Sequence, residues 1–263
     1  MNYDFNTPTL SELGYTFETC MFHDSTCLYV EHTFIITMHD SSRMDNMWKQ
    51  IHEHKPTKFV TVVYNKGYKH TNKHTNKHNV DTSAKDLWHA NSTIMKIYKE
   101  DAPILILEDD CEFLYTFRQH ARRIEAFILQ HPKLGAYNLG GLPLLSYPVS
   151  CEDLRGLLFG FAHAVIYTKH GRTQLQHNSI RILHDLECSM TIKMYFPALP
   201  LAVQKIEQTE NSKNWDLGGL SFCYLNLFGS KLFHIHHIFG WFGGLASVVL
   251  STITCTVLVL IIV

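Results

Sequence analysis

Apolar residues recur with two different periods along the chain, and together they predict alternating strands and helices. Short runs rich in Val, Ile, Phe and Leu predict strands, whereas apolar residues spaced three or four positions apart predict helices. The strand runs fall at residues 32–38, 58–64, 104–107, 135–141, 158–167 and 194–203. The helical patterns fall at residues 41–54, 83–100, 114–131 and 172–184. Because such alternation is typical of crossover connections, we expect an α/β fold: one Rossmann-type domain with a mostly parallel sheet.

The two ends of the chain differ from this middle part. Residues 238–263 carry no charged side chain, and about 20 apolar residues suffice to cross a bilayer, so this segment predicts a C-terminal transmembrane helix. Residues 1–30 contain scattered acidic side chains and do not resemble a signal peptide. We therefore expect an N-terminal extension over 1–30, a folded domain over 31–230 in the cytosol, and a single-pass membrane anchor over 238–263.

Charge and cysteine content narrow the range of partners. The formal net charge is −1, so no global positive field favours nucleic acid or anionic lipid, and we expect no nucleic-acid partner. Seven cysteines are scattered without a CxxC pair, which argues against a zinc clamp. Partner choice must therefore come from a local site.

A low-complexity tract, KHTNKHTNKHN at residues 69–79, repeats every four residues. Its histidines at 70, 74 and 78 would share one face of a helix, which makes a metal or polyanion site conceivable. However, Asn and Thr disfavour a helix, and no apolar residue anchors the tract. We expect a solvated loop.

The strongest chemical signal is an acidic cluster that follows the apolar run ILIL. Glu108, Asp109 and Asp110 come directly after this run, and Glu112 lies two residues further on. In open α/β sheets, ligands bind beyond the carboxyl ends of the strands. Mg²⁺ and Mn²⁺ prefer carboxylate oxygens, so the cluster predicts a site for a divalent cation and a diphosphate. The alternative is a solvated polar cap at the end of the strand.

The order of motifs around this cluster resembles glycosyltransferase family 25, which comprises lipooligosaccharide and procollagen galactosyltransferase-like enzymes. The most specific motif is ILILEDDCEF, and the resemblance covers roughly residues 32 to 215. Five further segments are similar to motifs of this family: FIITMHDSSRMDNMW, SAKDLWHANSTIMKIY, GFAHAVIYTKHGRTQL, HDLE and PLAVQ. The family's usual Asn at the end of the first strand is replaced here by Thr37 or Met38, and its paired arginines are reduced to Arg43.

The resemblance implies a GT-A-like fold, a Mn²⁺ or Mg²⁺ cofactor and a nucleotide diphosphate sugar as donor. It implies that Asp110 holds the metal with Glu108 and Glu112, and that Glu108 and Asp109 contact metal, ribose or diphosphate. Asp185, in the HDLE segment, is by analogy the candidate base that takes the acceptor's proton.

Four further residues leave alternatives open. His184 is the rival of Asp185 as the base, although a histidine beside a helix end often packs or is solvated. His163 fits a core histidine. Gly140 and Gly141 either let the backbone approach a ligand or form a plain turn.

These observations lead to one main functional hypothesis and two alternatives. The main hypothesis is a membrane-anchored, metal-dependent glycosyltransferase that moves a hexose from a nucleotide diphosphate sugar to a glycan, protein or lipid acceptor. The first alternative is a catalytically degenerate fold that serves as a membrane binding or scaffold module. The second is a phosphoesterase, which would need further His or Asp ligands for two metals.

Overall fold

The computed structural model of the protein describes residues 8–75, 78–176, 188 and 190–205. The α-helices are α1 (Pro8–Glu12), α2 (Met44–His54), α3 (Ser83–Ile97), α4 (Phe117–Gln130) and α5 (Lys169–Gln176). The strands are β1 (Tyr15–Met21), β2 (His32–Met38), β3 (Phe59–Asn65), β4 (Ile104–Glu108), β5 (Cys111–Phe113), β6 (Ala136–Asn138), β7 (Leu142–Pro148), β8 (Asp153–Gly160), β9 (Ala164–Tyr167), β10 (Met194–Pro197) and β11 (Ala202–Gln204).

Nine of these strands form one mixed sheet in the order β1-β3-β2-β4-β9-β6-β10-β8-β7. The pairs β2 with β3, β2 with β4, and β10 with β6 are parallel, and the other five pairs are antiparallel. The prediction of a GT-A-like domain with a mostly parallel sheet is therefore wrong. Apolar periodicity reveals which residues are buried, but it does not give the direction in which a strand joins its neighbours.

One predicted strand illustrates this limit. The apolar run at 158–167 spans two strands, because β8 ends at Gly160 and β9 begins at Ala164. Phe161, between them, has a φ of 65°, which is uncommon outside glycine and breaks the extended conformation. The chain consequently turns within the run, and β9 pairs antiparallel with both β4 and β6.

Alternate residues of the central strands pack on opposite faces of the sheet. Phe34 and Ile106 belong to a core that also contains Ile94 and Met95 of α3. Ile35, Leu105 and Leu107 belong to a second core, which includes residues of α2 and α4. Since successive side chains of a strand point to opposite faces, β2 and β4 are buried on both sides between helical layers.

The parallel part of the sheet contains a point where the chain reverses its direction of winding. Helix α2 connects β2 to β3 and packs on one face, whereas α3 connects β3 to β4 and packs on the other. The loops after β2 and β4 therefore leave the sheet beside each other at its carboxyl edge, the usual position of ligands in open α/β sheets. Residues 39–43 and 109–110 lie in these two loops.

The N-terminal segment and the low-complexity tract both contribute to the packed structure. β1 pairs antiparallel with β3 along seven residues. In the tract, Lys73 is fully buried: its Nζ donates to Asn65 Oδ1 at 2.6 Å and to Asp86 Oδ1 at 3.0 Å, and lies 3.8 Å from the centre of the Tyr15 ring. Lys73 therefore departs from the expected solvated loop, whereas His70 and His74 are exposed.

No helix in the described part of the chain is long and apolar enough to cross a membrane. The predicted transmembrane helix at 238–263 thus has no counterpart among these helices, and its residues lie outside the described ranges.

Candidate functional site

The acidic cluster lies where the sequence predicts it, at the carboxyl end of a buried central strand. Glu108 is the last residue of β4, Asp109 and Asp110 form the turn that follows, and Glu112 lies in the short strand β5. Asp109 and Asp110 are only 6% and 7% exposed, whereas Glu108 and Glu112 are partly exposed. The solvated cap that the motif alone also permits is therefore excluded for the two aspartates.

Asp109 is held by three donors from β2 and the loop after it. The hydroxyls of Thr37 and Ser41 donate to Oδ2 at 2.7 and 2.6 Å, and Arg43 NH2 lies 2.6 Å from Oδ1. Helix α2 begins at Met44, and its N-cap residue Arg43 forms no side-chain cap hydrogen bond. Both oxygens of Asp109 are thus engaged by the protein, and its role is to fix the loop that carries Arg43.

Asp110 is only half satisfied. Gln204 Nε2 donates to its Oδ2 at 2.9 Å, and Arg43 NH1 lies 3.9 Å from the same oxygen. The other oxygen, Oδ1, is buried and accepts no hydrogen bond from the described residues. Burial raises the pKa of Asp110 to about 6, although Gln204 and Arg43 act in the opposite direction. A buried acceptor without a partner costs about 1 to 3 kcal/mol, and more when it is charged.

A short segment, residues 201–205, closes one side of the acidic turn. Its strand β11 pairs antiparallel with β5, and the backbone N–H of Lys205 donates to the carbonyl of Asp110 at 2.8 Å. The Lys205 ammonium lies 3.1 Å from Glu112 Oε2. This pairing brings Gln204 to Asp110 from 94 residues away.

The expected metal centre on Asp110, Glu108 and Glu112 must be corrected. Among the residues that the structure describes, no group of three or more His, Cys, Asp or Glu side chains is placed to hold a metal ion. The physical reason lies in the partners, because Asp109 is saturated, Glu112 faces the Lys205 ammonium, and Asp110 has only one oxygen left. The Mn²⁺ or Mg²⁺ cofactor that the family resemblance implies stays a prediction.

His163 and Gly140 lie beside the 201–205 segment. His163 is fully buried without a well-formed hydrogen bond from its ring to a described residue, and burial lowers its pKa to about 4. A Cβ on Gly140 would lie 2.1 Å from the carbonyl oxygen of Ala202 and 2.7 Å from His163 Nε2. Gly140 is therefore required for close packing of this segment against the sheet. Gly141 packs in the same way against Asn138, and the N–H groups of both glycines donate to Asn138 Oδ1, so these glycines lie in a tight bend of the chain.

The remaining predicted site residues, His184 and Asp185, lie outside the described residues. The prediction that one of them is the base therefore stays untested. The contacts of Thr37 and Ser41 with Asp109 were not predicted. One signal could have pointed to them, because Thr37 lies near the carboxyl end of β2 and Ser41 lies in the loop that follows, at the edge of the sheet where ligands usually bind.

Comparisons with known proteins give no family for the chain. No family model matches, and no curated protein matches. Among solved structures, the chain is similar to "Crystal Structure of A197 from STIV", with a TM-score of 0.42 and 14% identity over 67% of this chain and 86% of that one. It is also similar to apo-UDP-glucose pyrophosphorylase, with a TM-score of 0.35 and 8% identity over 64% and 72%. Likenesses this distant carry no argument about function, and membership of glycosyltransferase family 25 stays a prediction.

Proposed function

We propose that this protein binds a nucleotide diphosphate sugar at the carboxyl edge of the sheet, beside the loops after β2 and β4, and that it transfers the sugar to a glycan, protein or lipid acceptor. The proposal is supported chiefly by Asp110, whose buried Oδ1 accepts no hydrogen bond from the described residues at the point where the winding of the sheet reverses. A sugar or ribose hydroxyl is a donor of suitable size for such an oxygen, and carboxylates commonly bind ribose hydroxyls at this position of α/β sheets.

The loop after β2 supplies groups suited to the diphosphate. Arg43 is partly exposed, and its ion pair with Asp109 holds the guanidinium in one orientation. Because the positive charge of Arg43 is largely offset by the Asp109 carboxylate, Arg43 would bind a diphosphate through its oriented N–H groups rather than through net positive charge. Helix α2 begins directly after Arg43 without a side-chain cap, so its first N–H groups are available to an anion.

In the transfer reaction, the acceptor oxygen forms a bond to the anomeric carbon while the bond to the departing diphosphate breaks. The acceptor's proton passes to a base, for which Asp185 and His184 remain the predicted candidates. Donors aimed at the diphosphate stabilise the charge that develops on it, and this kind of preorganised stabilisation is often the largest contribution to catalysis.

Binding and transfer can be tested separately. The full chain is titrated with UDP-glucose, UDP-galactose and GDP-mannose by calorimetry, once with EDTA and once with added Mg²⁺, and release of nucleoside diphosphate is measured with sugar acceptors. Asp110→Asn should weaken binding about tenfold or more, since one charge-assisted hydrogen bond is lost. Asp101→Asn, at an exposed surface position, is the matched control. Absence of binding to every nucleotide sugar in both buffers would refute the proposal.

A second candidate is a binding module without turnover. It is favoured by one observation, that both oxygens of Asp109 are engaged by donors of the protein itself. In that case, nucleotide sugars should bind with the same dependence on Asp110, but no acceptor should increase diphosphate release above the rate in buffer.

A further inference from the structure

We infer that Gln204 is the positioning residue of this site: its side-chain amide holds the Asp110 carboxylate by Oδ2 so that Oδ1 is presented to the sugar-nucleotide hydroxyl. The inference rests on the proposed function above and assigns a role to a residue that is distant in sequence. Gln204 acts through Asp110 and is not itself placed against the reacting atoms.

The contacts of Asp110 support different roles for its two carboxylate oxygens. Among the described residues, Gln204 is the side chain that donates a hydrogen bond to this carboxylate, and its Nε2 lies 2.9 Å from Oδ2. Arg43 NH1, at 3.9 Å from the same oxygen, is too far for a hydrogen bond. A carboxylate held by one oxygen loses its rotational freedom about the terminal bond, so the direction of the other oxygen is fixed as well.

Gln204 can act in this way because its backbone is fixed on both sides. Gln204 pairs with Cys111 in the β11 and β5 ladder, and the next residue donates its N–H to the Asp110 carbonyl. Upstream, the N–H of Leu201 donates to the carbonyl of Leu139 at 2.8 Å. The amide is therefore presented from a rigid strand, which places a functional group more accurately than a free loop does.

An amide is chemically suited to this role. A lysine at position 204 would neutralise Asp110 and compete with a neutral hydroxyl donor, whereas an aliphatic residue would leave both carboxylate oxygens without a donor. The glutamine Nε2 donates one hydrogen bond and leaves the charge of the carboxylate in place. Asp110 thus keeps its strength as an acceptor for a hydroxyl.

A double-mutant cycle tests the inference. The affinity of the full chain for UDP-galactose and UDP-glucose is measured for the wild type, Gln204→Leu, Asp110→Asn and the double variant. If Gln204 acts through Asp110, each single change should weaken binding about tenfold, and the double variant should bind no worse than the weaker single variant. A residue with a purely structural role would instead give independent effects that multiply to about a hundredfold. Gln119→Leu, at an exposed position of α4, is the control and should bind like the wild type.

Three results would overturn the inference. If the wild type binds a UDP-sugar and Gln204→Leu binds it with the same affinity, Gln204 has no positioning role, although the proposed function still holds. The same conclusion follows if the losses of affinity in the two single variants multiply in the double variant. A wild-type chain that binds neither UDP-sugar nor GDP-mannose would refute the proposed function and, with it, the positioning role. Circular dichroism of each variant establishes that a loss of affinity is measured on folded protein.

Discussion

Replacement of Asp110 by asparagine should change how the stability of the protein depends on pH. Burial raises the pKa of this carboxyl from its ordinary value of 3.8 to about 6 in the folded protein. The folded state therefore binds the proton more tightly than the unfolded state, and ionisation of Asp110 lowers the free energy of unfolding. The penalty is fully present above about pH 6, and it disappears as the pH falls below about 4.

The magnitude follows from the difference between the two pKa values. One pKa unit corresponds to 1.36 kcal/mol, so a rise from 3.8 to about 6 gives a penalty of about 3 kcal/mol at pH 8. Asparagine has a similar shape and cannot ionise. Relative to the wild type, the Asp110→Asn variant should therefore gain about 3 kcal/mol in unfolding free energy between pH 4 and pH 8. An amide N–H left without an acceptor would lower the stability of the variant equally at every pH and would not change this gain.

Urea denaturation at pH 4, 5, 6, 7 and 8 measures this effect as the difference in unfolding free energy between the two proteins. Use of the difference cancels other titrating groups that both proteins share. Asp101→Asn, at a surface position with an 81% exposed side chain, is the control for removal of a surface carboxylate. A difference for Asp110→Asn that does not change with pH would show that this carboxyl is not buried in the way the structure describes.

Three further changes should have effects that the packing determines. Arg43→Leu leaves the Asp109 carboxylate without its ion pair and should lower the unfolding free energy by about 2 to 3 kcal/mol at pH 7, measured by urea denaturation, because the arginine is partly exposed. Lys73→Met leaves Asp86 buried without its ion pair and should cost about 3 to 5 kcal/mol by the same measurement; an added change of Asp86 to Asn should restore part of the loss. Gly140→Ala places a methyl group against the 201–205 segment and should cost about 1 to 3 kcal/mol, with faster amide hydrogen exchange in that segment. Unchanged exchange there would contradict the packing argument.

The central strands could be predicted from the sequence because they are buried on both faces. The apolar runs at 32–38, 58–64 and 104–107 each match a strand to within about one residue. β1 was missed because Thr and Glu alternate with its apolar residues at an edge of the sheet, and much of it is exposed. The mixed direction of the sheet could not be predicted, since it depends on where each connection returns rather than on which residues are apolar.

The candidate site was predictable in part for a similar reason. Asp109 and Asp110 are adjacent in sequence and follow a buried strand, so their position at the sheet edge could be predicted. Their partners could not, because Thr37 and Gln204 approach from opposite directions along the chain, 72 and 94 residues away. Only the parallel pairing of β2 with β4 and the antiparallel pairing of β11 with β5 bring them together.

Asp109 and Asp110 are adjacent and almost equally buried, but they have different physical roles because their hydrogen-bond and ion-pair partners differ. Asp109 accepts two hydroxyl hydrogen bonds and pairs with a guanidinium, so its burial is compensated within the protein. Asp110 has one hydrogen bond to an amide, and its other oxygen has no donor among the described residues, so its burial is compensated there only in part. An incompletely compensated carboxylate reduces stability, and such groups in native proteins call for an explanation beyond folding. A bound hydroxyl supplies the missing hydrogen bond, and this is why the proposed site is centred on Asp110 rather than on Asp109.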